Sequence, residues 1–391
     1  MEHREHLERT MSIAVAKIED GNDQQDWIAV ARQLAKEFGE RAAAYDEEGS
    51  FVQENYADLR DYKLFSVGIP SELGGGGASH SEICRIIREL GRECGSTGLS
   101  YAMHSHPVAV NVVKYLNGDE KAKVALERIA AGELVIAGTG ANDWLASNGE
   151  AKETEGGYVV NAHKRFVSGG PGADLFVTSS PFDGPDGQEV LHFAIPFKTE
   201  GVAIQSNWNT HGMRGTGSND VIMNDVFVPA AAIVARRPVG KWHPMWDMIL
   251  PIALPMIVSC YVGLAETAVA MAVAGARNKP HLAHVVGEMK NELAVAQLAV
   301  EDMVRITDDY KFAPGVETTD AILTRKTIAT RAVKASVDLA TSIVGGPGFF
   351  KAHPVERIVR DMRAIQFHPL PEKHQQLFSG RIALGLDPIG A

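Results

Sequence analysis

Cysteine is scarce in this sequence. The three cysteines among 391 residues are Cys84, Cys94 and Cys260. They are too few and too widely spaced for a disulfide framework or a zinc ribbon. The first 22 residues carry several Glu, His and Arg side chains and lack an apolar run long enough for a signal peptide. We therefore expect reduced thiols and a cytoplasmic protein.

Long runs of one charge are also absent. There are 38 Lys and Arg against 49 Asp and Glu, a net charge of −11, and no basic stripe is present to bind a nucleic-acid backbone. We therefore predict no nucleic-acid partner, and we expect the pair Arg236-Arg237 to lie in a solvated loop. Hydrophobic residues make up 45% and charged residues 22%, which excludes disorder as the main state.

No uncharged run is long enough for an ordinary membrane span. The longest candidate, residues 248–265, has eighteen residues and contains Pro251 and Pro255. A bilayer requires about twenty apolar residues in a helix, and prolines remove hydrogen bonds that lipid cannot replace. This stretch predicts a buried helix that is entered through a proline-rich turn, and no membrane span.

Motifs for nucleotide loops, serine nucleophiles and metal sites are missing. The glycine-rich stretches at 74–77 and 215–217 fit neither a Walker loop nor a Rossmann fingerprint, and no Gly-x-Ser-x-Gly elbow is present. Two closely spaced histidine pairs occur, His104 with His106 and His281 with His284. Neither pair has a third ligand placed to complete a metal site, so no metal is predicted.

The pattern that is present has three parts. Apolar residues at spacings of three and four predict helices in the first third of the chain. From about residue 133, short β-rich runs alternate with turn-rich loops, which predicts an antiparallel sheet or barrel. Helical spacing returns from about Lys241. We predict a mainly helical α+β protein with domains at residues 1–130, 131–238 and 239–391.

Ordered motifs along residues 25–388 resemble the acyl-CoA dehydrogenase superfamily. The segments that carry the resemblance are Pro-Ser-Glu-Leu-Gly-Gly at 70–75, the strand pair at 157–170, Gly-Met-Arg-Gly-Thr-Gly-Ser-Asn-Asp at 212–220, Val-Gly-Gly-Pro-Gly at 344–348, Pro-Val-Glu-Arg at 354–357 and Arg360-Asp361. The resemblance implies an N-terminal helical domain, a central antiparallel β-barrel, a C-terminal four-helix bundle and a homotetramer. It also implies FAD between barrel and bundle.

The resemblance assigns flavin-binding residues by position. Phe166, Val167 and Ser168 are expected to face the isoalloxazine ring, with the Ser168 hydroxyl near its N5 edge. Gly345 and Gly346 are expected to approach the adenine half of the cofactor in the adjoining subunit. Arg277, or else Lys279, is the candidate for the pyrophosphate. In the altered loop at 136–143, the expected substitutes for the side chains of the family motif are Thr139 and Asn142.

The catalytic base of the family is missing from both of its usual positions. Removal of a proton beside a thioester carbonyl needs a base within hydrogen-bond reach. The position where most of the family has Glu is Pro369 here, and the alternative position falls at about Ala253. The two groups that could replace the base are His368 and Glu372.

The resemblance leaves three functions open. The leading interpretation is an oxidoreductase of fatty acid metabolism that oxidises the Cα–Cβ bond of an acyl-CoA and passes electrons to an electron-transfer flavoprotein. The second is a flavin monooxygenase, because His368 resembles a histidine of that branch and His104 or His106 resembles a second pocket histidine. It would use FMN reduced by a partner reductase to oxidise a small apolar substrate. The third is a catalytically silent flavin or acyl-CoA binding protein.

Overall fold

The computed structural model describes residues 25–140, 143–185 and 187–390, of which most are helical. The α-helices are α1 Trp27–Glu48, α2 Gln53–Asp61, α3 His80–Glu93, α4 Gly95–Leu116, α5 Glu120–Gly132, α6 Met245–Ala276, α7 Ala283–Thr307, α8 Val316–Val344, α9 Pro354–Met362 and α10 Glu372–Ala383. The strands are β1 Ile136–Gly138, β2 Glu150–Thr154, β3 Gly157–Val167, β4 Leu175–Gly184, β5 Gly187–Pro196, β6 Val202–Ile204, β7 Asn219–Pro229 and β8 Ile233–Pro238. The predicted order of helices, strands and helices is confirmed.

Local sequence explains where α3 begins and which face it buries. The Ser79 side chain accepts a hydrogen bond from the Glu82 backbone N–H, and the Glu82 carboxylate accepts one from the Ser79 N–H. This reciprocal capping box satisfies two backbone donors that the helix itself leaves free. The helix then buries a stripe of apolar side chains, Ile83, Ile86, Ile87 and Leu90.

The uncharged stretch forms part of α6, a buried helix as predicted. The two prolines, however, lie inside the helix and not in a turn before it. Pro255 has no N–H to donate to the carbonyl of Pro251, and the Thr307 hydroxyl donates to that carbonyl at 2.8 Å instead. Within the described residues α6 is the one helix long and apolar enough to cross a membrane, and most of it is buried inside the protein.

The C-terminal helices pack around α6. The helices α7 and α8 lie along it, α9 lies against α6 and α8, and α10 lies against α8. On its other side α6 packs closely on α3, where Gly91 faces the backbone of Cys260 and Gly263 faces that of Arg88. A β-carbon at either glycine would collide with the opposite backbone, so glycine sets the distance between these two helices.

The eight strands form one sheet in the order β6-β7-β3-β2-β4-β5-β8, with β1 also beside β4. Most neighbours are antiparallel, but β4 pairs in parallel with β1 and with β2. The predicted antiparallel β-barrel is therefore wrong, because the edge strands β6 and β8 of the described sheet do not pair with each other. Alternating apolar residues predict strands, whereas closure depends on pairing between strands far apart in the chain.

Candidate functional site

The chain leaves β3 through an irregular turn at Phe166. Pairing with β7 shifts register between Lys164 and Val167, and Phe166 has a φ of +63°. Such a left-handed conformation is uncommon for a bulky residue. The Phe166 side chain is 48% exposed, and its ring meets Trp208 edge-on with centroids 6.3 Å apart. The Val167 side chain lies in the core of the sheet, so of the three predicted residues Phe166 and Ser168 are the ones whose side chains are partly or largely exposed.

Three hydroxyl groups form a chain that ends at Ser168. The Oγ atoms of Ser168 and Ser218 are 2.7 Å apart, and Ser218 Oγ is 2.7 Å from Thr216 Oγ1. Thr216 in turn donates to the carbonyl oxygen of Met213 at 2.9 Å. Ser218 and Thr216 are buried, whereas Ser168 is only partly buried. This hydroxyl chain therefore runs from the protein interior to the partly buried Ser168.

A buried lysine holds the loop that follows β1. Lys164 is fully buried, and its Nζ donates to Asp143 Oδ2 at 3.1 Å, Ser147 Oγ at 3.1 Å and the Asn148 carbonyl at 2.7 Å. Burial lowers the pKa of Lys164, and the adjacent Asp143 carboxylate opposes that shift. Thr139, at the start of this loop, shares a 2.8 Å hydrogen bond with the Thr178 hydroxyl. Asn142 lies outside the described residues.

Arg237, on β8, also binds this loop, a role that the sequence did not predict. Its guanidinium donates to the carbonyls of Asp143, at 2.8 Å, and Leu145, and its Nε donates to His192 Nε2 at 3.0 Å. The prediction of a solvated loop is wrong, because both arginines lie on β8; Arg237 is 2% exposed, whereas Arg236 is exposed and pairs with Glu189. Burial lowers the pKa of Arg237 to about 10. No linear motif signals this role, because the partners come from separate elements.

The two histidines of α4 differ in their hydrogen bonds. His104 Nδ1 accepts from the Ile136 N–H at 3.0 Å, and its Nε2 is 2.8 Å from the Phe65 carbonyl, to which it donates. Both ring nitrogens of His104 are thus committed to the backbone. His106 Nδ1 is buried and has no partner in the described part of the chain. Burial lowers the pKa of each histidine to about 4, so both are neutral at pH 7.

His368 lies between α6 and α8. Its Nε2 is 2.7 Å from the Tyr261 hydroxyl, and the Lys326 ammonium donates to the carbonyls of His368 and Leu370 at 2.9 Å each. Burial, with a smaller contribution from the Lys326 charge, lowers the pKa of His368 to about 3. The imidazole is neutral at pH 7 and can accept or donate one hydrogen bond at each nitrogen.

Glu372 is bound by a different residue, Arg331. It begins α10, and its carboxylate forms a 2.8 Å ion pair with Arg331 on the surface. The hydrogen bond from Arg331 lowers the pKa of Glu372, which favours the ionised, paired state. Of the two usual base positions, Ala253 is buried on α6 and Pro369 directly follows His368. The structure thus brings His368, and not Glu372, to Tyr261.

Several motif residues join the helical parts to the loop before β7. The buried Asp361 carboxylate accepts from the Met213 N–H at 2.5 Å, and burial raises the pKa of Asp361 to about 6. Arg360 pairs with Asp46 on α1 and with Glu356. Asp361 therefore fixes the backbone of Met213, at the inner end of the hydroxyl chain. Arg360 links the same segment to α1.

The remaining predicted flavin contacts are on the surface of this chain. Gly345 and Gly346 follow α8 and are exposed, with open space where a β-carbon would stand at either. Arg277 and Lys279, at the end of α6, are exposed as well. These positions are accessible to a second subunit, and their roles stay predictions.

A cavity of about 260 Å³ lies beside the Phe166–Trp208 pair. Its lining contains no charged side chain and includes Phe51, Pro171, Asn207, Trp208, Gly217 and Asn219. Since these residues come from three separate loops and the first residue of β7, their spacing along the sequence did not indicate the cavity.

Comparisons with known proteins agree along most of the chain. Three family models match it: the acyl-CoA dehydrogenase N-terminal domain at residues 21–133, the middle domain at 137–226 and the C-terminal domain at 256–372. The putative acyl-CoA dehydrogenase YdbM of Bacillus subtilis is 28% identical over 89% of this chain and 94% of its own. Subunit CarC of the caffeyl-CoA reductase-Etf complex of Acetobacterium woodii is 25% identical over 88% and 95%.

Solved structures share the fold. A nitrososynthase from Micromonospora carbonacea superposes with a TM-score of 0.85 at 21% identity, covering 93% of this chain and 97% of that one. FMN-bound TdsC from Paenibacillus gives 0.82 at 20% identity, covering 93% and 99%. At these identities the likeness concerns the fold alone.

Proposed function

Since the chain belongs to the acyl-CoA dehydrogenase family of flavoenzymes, we propose that it is a flavin-dependent monooxygenase that uses reduced FMN, molecular oxygen and a small apolar substrate. One oxygen atom enters the substrate and the other leaves as water, while the flavin is oxidised by two electrons. A partner reductase supplies the reduced flavin. The observation that carries the proposal is the neutral, partly buried His368, which is bonded to Tyr261 and directly precedes Pro369, the position at which most dehydrogenases of the family are expected to have Glu.

Neither of the two candidate bases in this chain favours dehydrogenase chemistry. A general base is most effective when its pKa is close to the working pH. With a pKa of about 3, His368 is a weak proton acceptor, and Glu372 is engaged by Arg331. A neutral imidazole that is bonded to a buried phenol is better suited to donating a hydrogen bond at a fixed position.

The residues present fit a flavin. The exposed Phe166 ring offers a surface for stacking, and Ser168 offers a partly buried hydroxyl. The open backbone at Gly140, in the loop held by Lys164 and Arg237, allows a planar ring to approach. When bound, reduced flavin supplies the two electrons and the reaction with oxygen. The chain's own groups then orient the ring at Phe166 and Ser168 and hold a proton between His368 and Tyr261.

An acyl-CoA dehydrogenase is the second candidate. The relatives at 28% and 25% identity over about nine-tenths of the chain favour it. His368 or Glu372 would then act as the base that removes the Cα proton, bound FAD would supply the acceptor for the Cβ hydride, and an electron-transfer flavoprotein would accept the electrons. The Etf complex named for one relative supports that partner.

The assembly is part of the same proposal. Phe349 and Phe350 are 90% and 67% exposed and follow Gly346 after Pro347 and Gly348, and such aromatic side chains favour burial against a second copy of the chain. We propose a cytoplasmic homotetramer in which this segment meets the flavin of an adjoining subunit.

The experiment compares oxygen transfer with thioester oxidation. Chemically reduced FMN is mixed with the protein, isotopically labelled oxygen and a panel of small apolar compounds, and products are analysed by mass spectrometry. In parallel, the oxidised flavoprotein is mixed with acyl-CoAs without oxygen, and flavin bleaching is recorded. We expect labelled product and no bleaching. Bleaching by an acyl-CoA without oxygen transfer would establish the dehydrogenase, and neither reaction would favour a silent flavin-binding protein.

Variants assign the role of the site. His368→Ala should reduce labelled product at least about tenfold with flavin affinity retained, since removing a donor to developing charge typically costs that much or more. Glu372→Gln is the matched control and should keep full activity. Full activity in His368→Ala together with loss in Glu372→Gln would contradict the proposed site.

A further inference from the structure

The hydroxyl chain at the end of β3 has a direction. Thr216 Oγ1 is 2.9 Å from the Met213 carbonyl oxygen, and a carbonyl can only accept. The single hydroxyl hydrogen of Thr216 therefore points to Met213. Ser218, 2.7 Å away, must then donate to Thr216, and Ser168 must use its own hydrogen to donate to Ser218. Ser168 Oγ is left with lone pairs only on its open side.

The hydrogen bonds at the inner end of the hydroxyl chain oppose a reversal of donor and acceptor roles. If Ser168 were to receive a hydrogen from Ser218, Thr216 would have to donate to Ser218, and the Thr216 and Met213 oxygens would face each other without a hydrogen between them. The Met213 carbonyl cannot turn away easily, because it also accepts from Trp208 Nε1 at 3.0 Å. The Met213 N–H is held by the Asp361 carboxylate, and Thr216 and Ser218 are buried. Water cannot replace a lost partner at such buried groups without rearrangement.

From this arrangement we infer that Ser218 and Thr216 are positioning residues that make Ser168 a hydrogen-bond acceptor towards the flavin, and so select the reduced cofactor. The inference rests on the proposed function, in which Ser168 orients the flavin, and on the expectation from the family resemblance that the N5 edge of the ring faces Ser168. Oxidised flavin has only a lone pair at N5, which an acceptor repels. Reduced flavin carries N5–H, which an acceptor binds. The ratio of affinities for reduced and oxidised flavin is therefore set by hydroxyls that do not touch the ring.

The test measures binding of FMN in both redox states to the full chain. Dissociation constants are obtained for oxidised FMN by fluorescence quenching and for reduced FMN without oxygen. In Ser218→Ala the Ser168 hydroxyl is free to turn and donate. We expect the preference for reduced FMN to fall about tenfold, which lowers the two-electron midpoint potential of bound flavin by about 30 mV. Thr216→Val should act in the same direction.

Two control variants distinguish an effect of hydrogen-bond direction from an effect of side-chain packing. Thr216→Ser keeps the hydroxyl and should retain the wild-type preference, which a purely structural effect of side-chain volume would not do. Thr318→Ala removes a hydroxyl that bonds only to a backbone carbonyl at the surface and should change neither dissociation constant. Circular dichroism confirms that each variant is folded.

The outcomes distinguish this inference from the proposed function. An unchanged preference in folded Ser218→Ala and Thr216→Val overturns the inference, even if the wild-type protein transfers oxygen. A loss of preference in both variants, in a protein that transfers no oxygen, supports the inference and overturns the monooxygenase. Failure of wild-type protein to bind FMN in either state overturns both.

Discussion

At the scale of single residues, two buried cations of the sheet hold the loop beside the candidate flavin site. Lys164 on β3 pairs with the Asp143 carboxylate, and Arg237 on β8 donates to the Asp143 backbone carbonyl, so both bind the loop at 143–148. A buried ion pair contributes little net stability, but loss of one member leaves an uncompensated charge. The loop that is expected to hold the flavin therefore depends on both members.

Lys164→Met tests this dependence. We expect the free energy of unfolding to fall by about 3 kcal/mol, because Asp143 would remain buried without its partner. The measurement is urea denaturation followed by tryptophan fluorescence. Lys152→Met is the matched control, since Lys152 pairs with Glu150 while 71% exposed, and it should leave the midpoint nearly unchanged. Equal midpoints for both variants would contradict the role given to Lys164.

Buried neutral histidines make stability sensitive to acid. The folded pKa is about 4 for His104 and about 3 for His192 and His368, below the unfolded value near 6.5. The unfolded chain therefore binds more protons as pH falls below about 6.5, and stability decreases towards the folded pKa. Asp361, raised to about 6, acts oppositely and offsets part of the loss between about pH 6 and 4.

The prediction is a steep loss of stability between pH 7 and pH 5. Each histidine whose folded pKa stays this low removes up to about 1.4 kcal/mol per pH unit once pH is well below its unfolded pKa. Urea denaturation at several pH values measures the slope. His192→Gln removes one such group and should give a shallower slope than wild type, whereas substitution of the exposed His374 should leave the slope unchanged. A flat profile from pH 7 to 5 would show that these histidines are protonated in the folded protein.

At the scale of elements, α6 shows how a helix can contain two prolines. The carbonyl of Pro251 loses its helical partner because Pro255 has no N–H, and Thr307 at the end of α7 supplies a replacement donor. The sequence indicated a buried helix from its apolar composition. It could not indicate the position of the prolines within the helix, because that position depends on a hydroxyl 56 residues away.

Thr307→Val tests the replacement donor. Valine has nearly the same shape, so the change leaves the buried Pro251 carbonyl without a partner at little cost in packing. We expect a loss of about 1–3 kcal/mol in the free energy of unfolding. Thr307→Ser keeps the hydroxyl and should recover most of that loss. Equal stability of the valine and serine variants would mean that the hydrogen bond contributes nothing.

At the scale of the whole molecule, an exposed aromatic segment favours contact between copies of the chain. Phe349 and Phe350 stand out from the end of α8, beside the exposed Gly345 and Gly346. In a single chain these two side chains contact solvent, which is unfavourable for such a large apolar surface. A second copy of the chain would remove them from water.

The double variant Phe349→Ser with Phe350→Ser tests the assembly. We expect wild-type protein to sediment as a tetramer and the variant to shift to smaller species over the same concentration range. Leu116→Ser, which changes an exposed leucine at the end of α4, is the control and should not alter sedimentation. A monomeric wild-type protein would overturn the predicted homotetramer.

The sequence by itself determined the family, the order of helices, strands and helices, and the absence of a carboxylate at the two usual base positions. Each of these depends on residue type and on spacing along the chain. The tertiary structure decided that the sheet is open, that Arg237 is buried while Arg236 is exposed, and that His104 is committed to backbone groups. It also decided the direction of the Ser168 hydroxyl. The reason is physical: sheet closure, burial and hydrogen-bond direction all depend on partners brought together from distant parts of the chain.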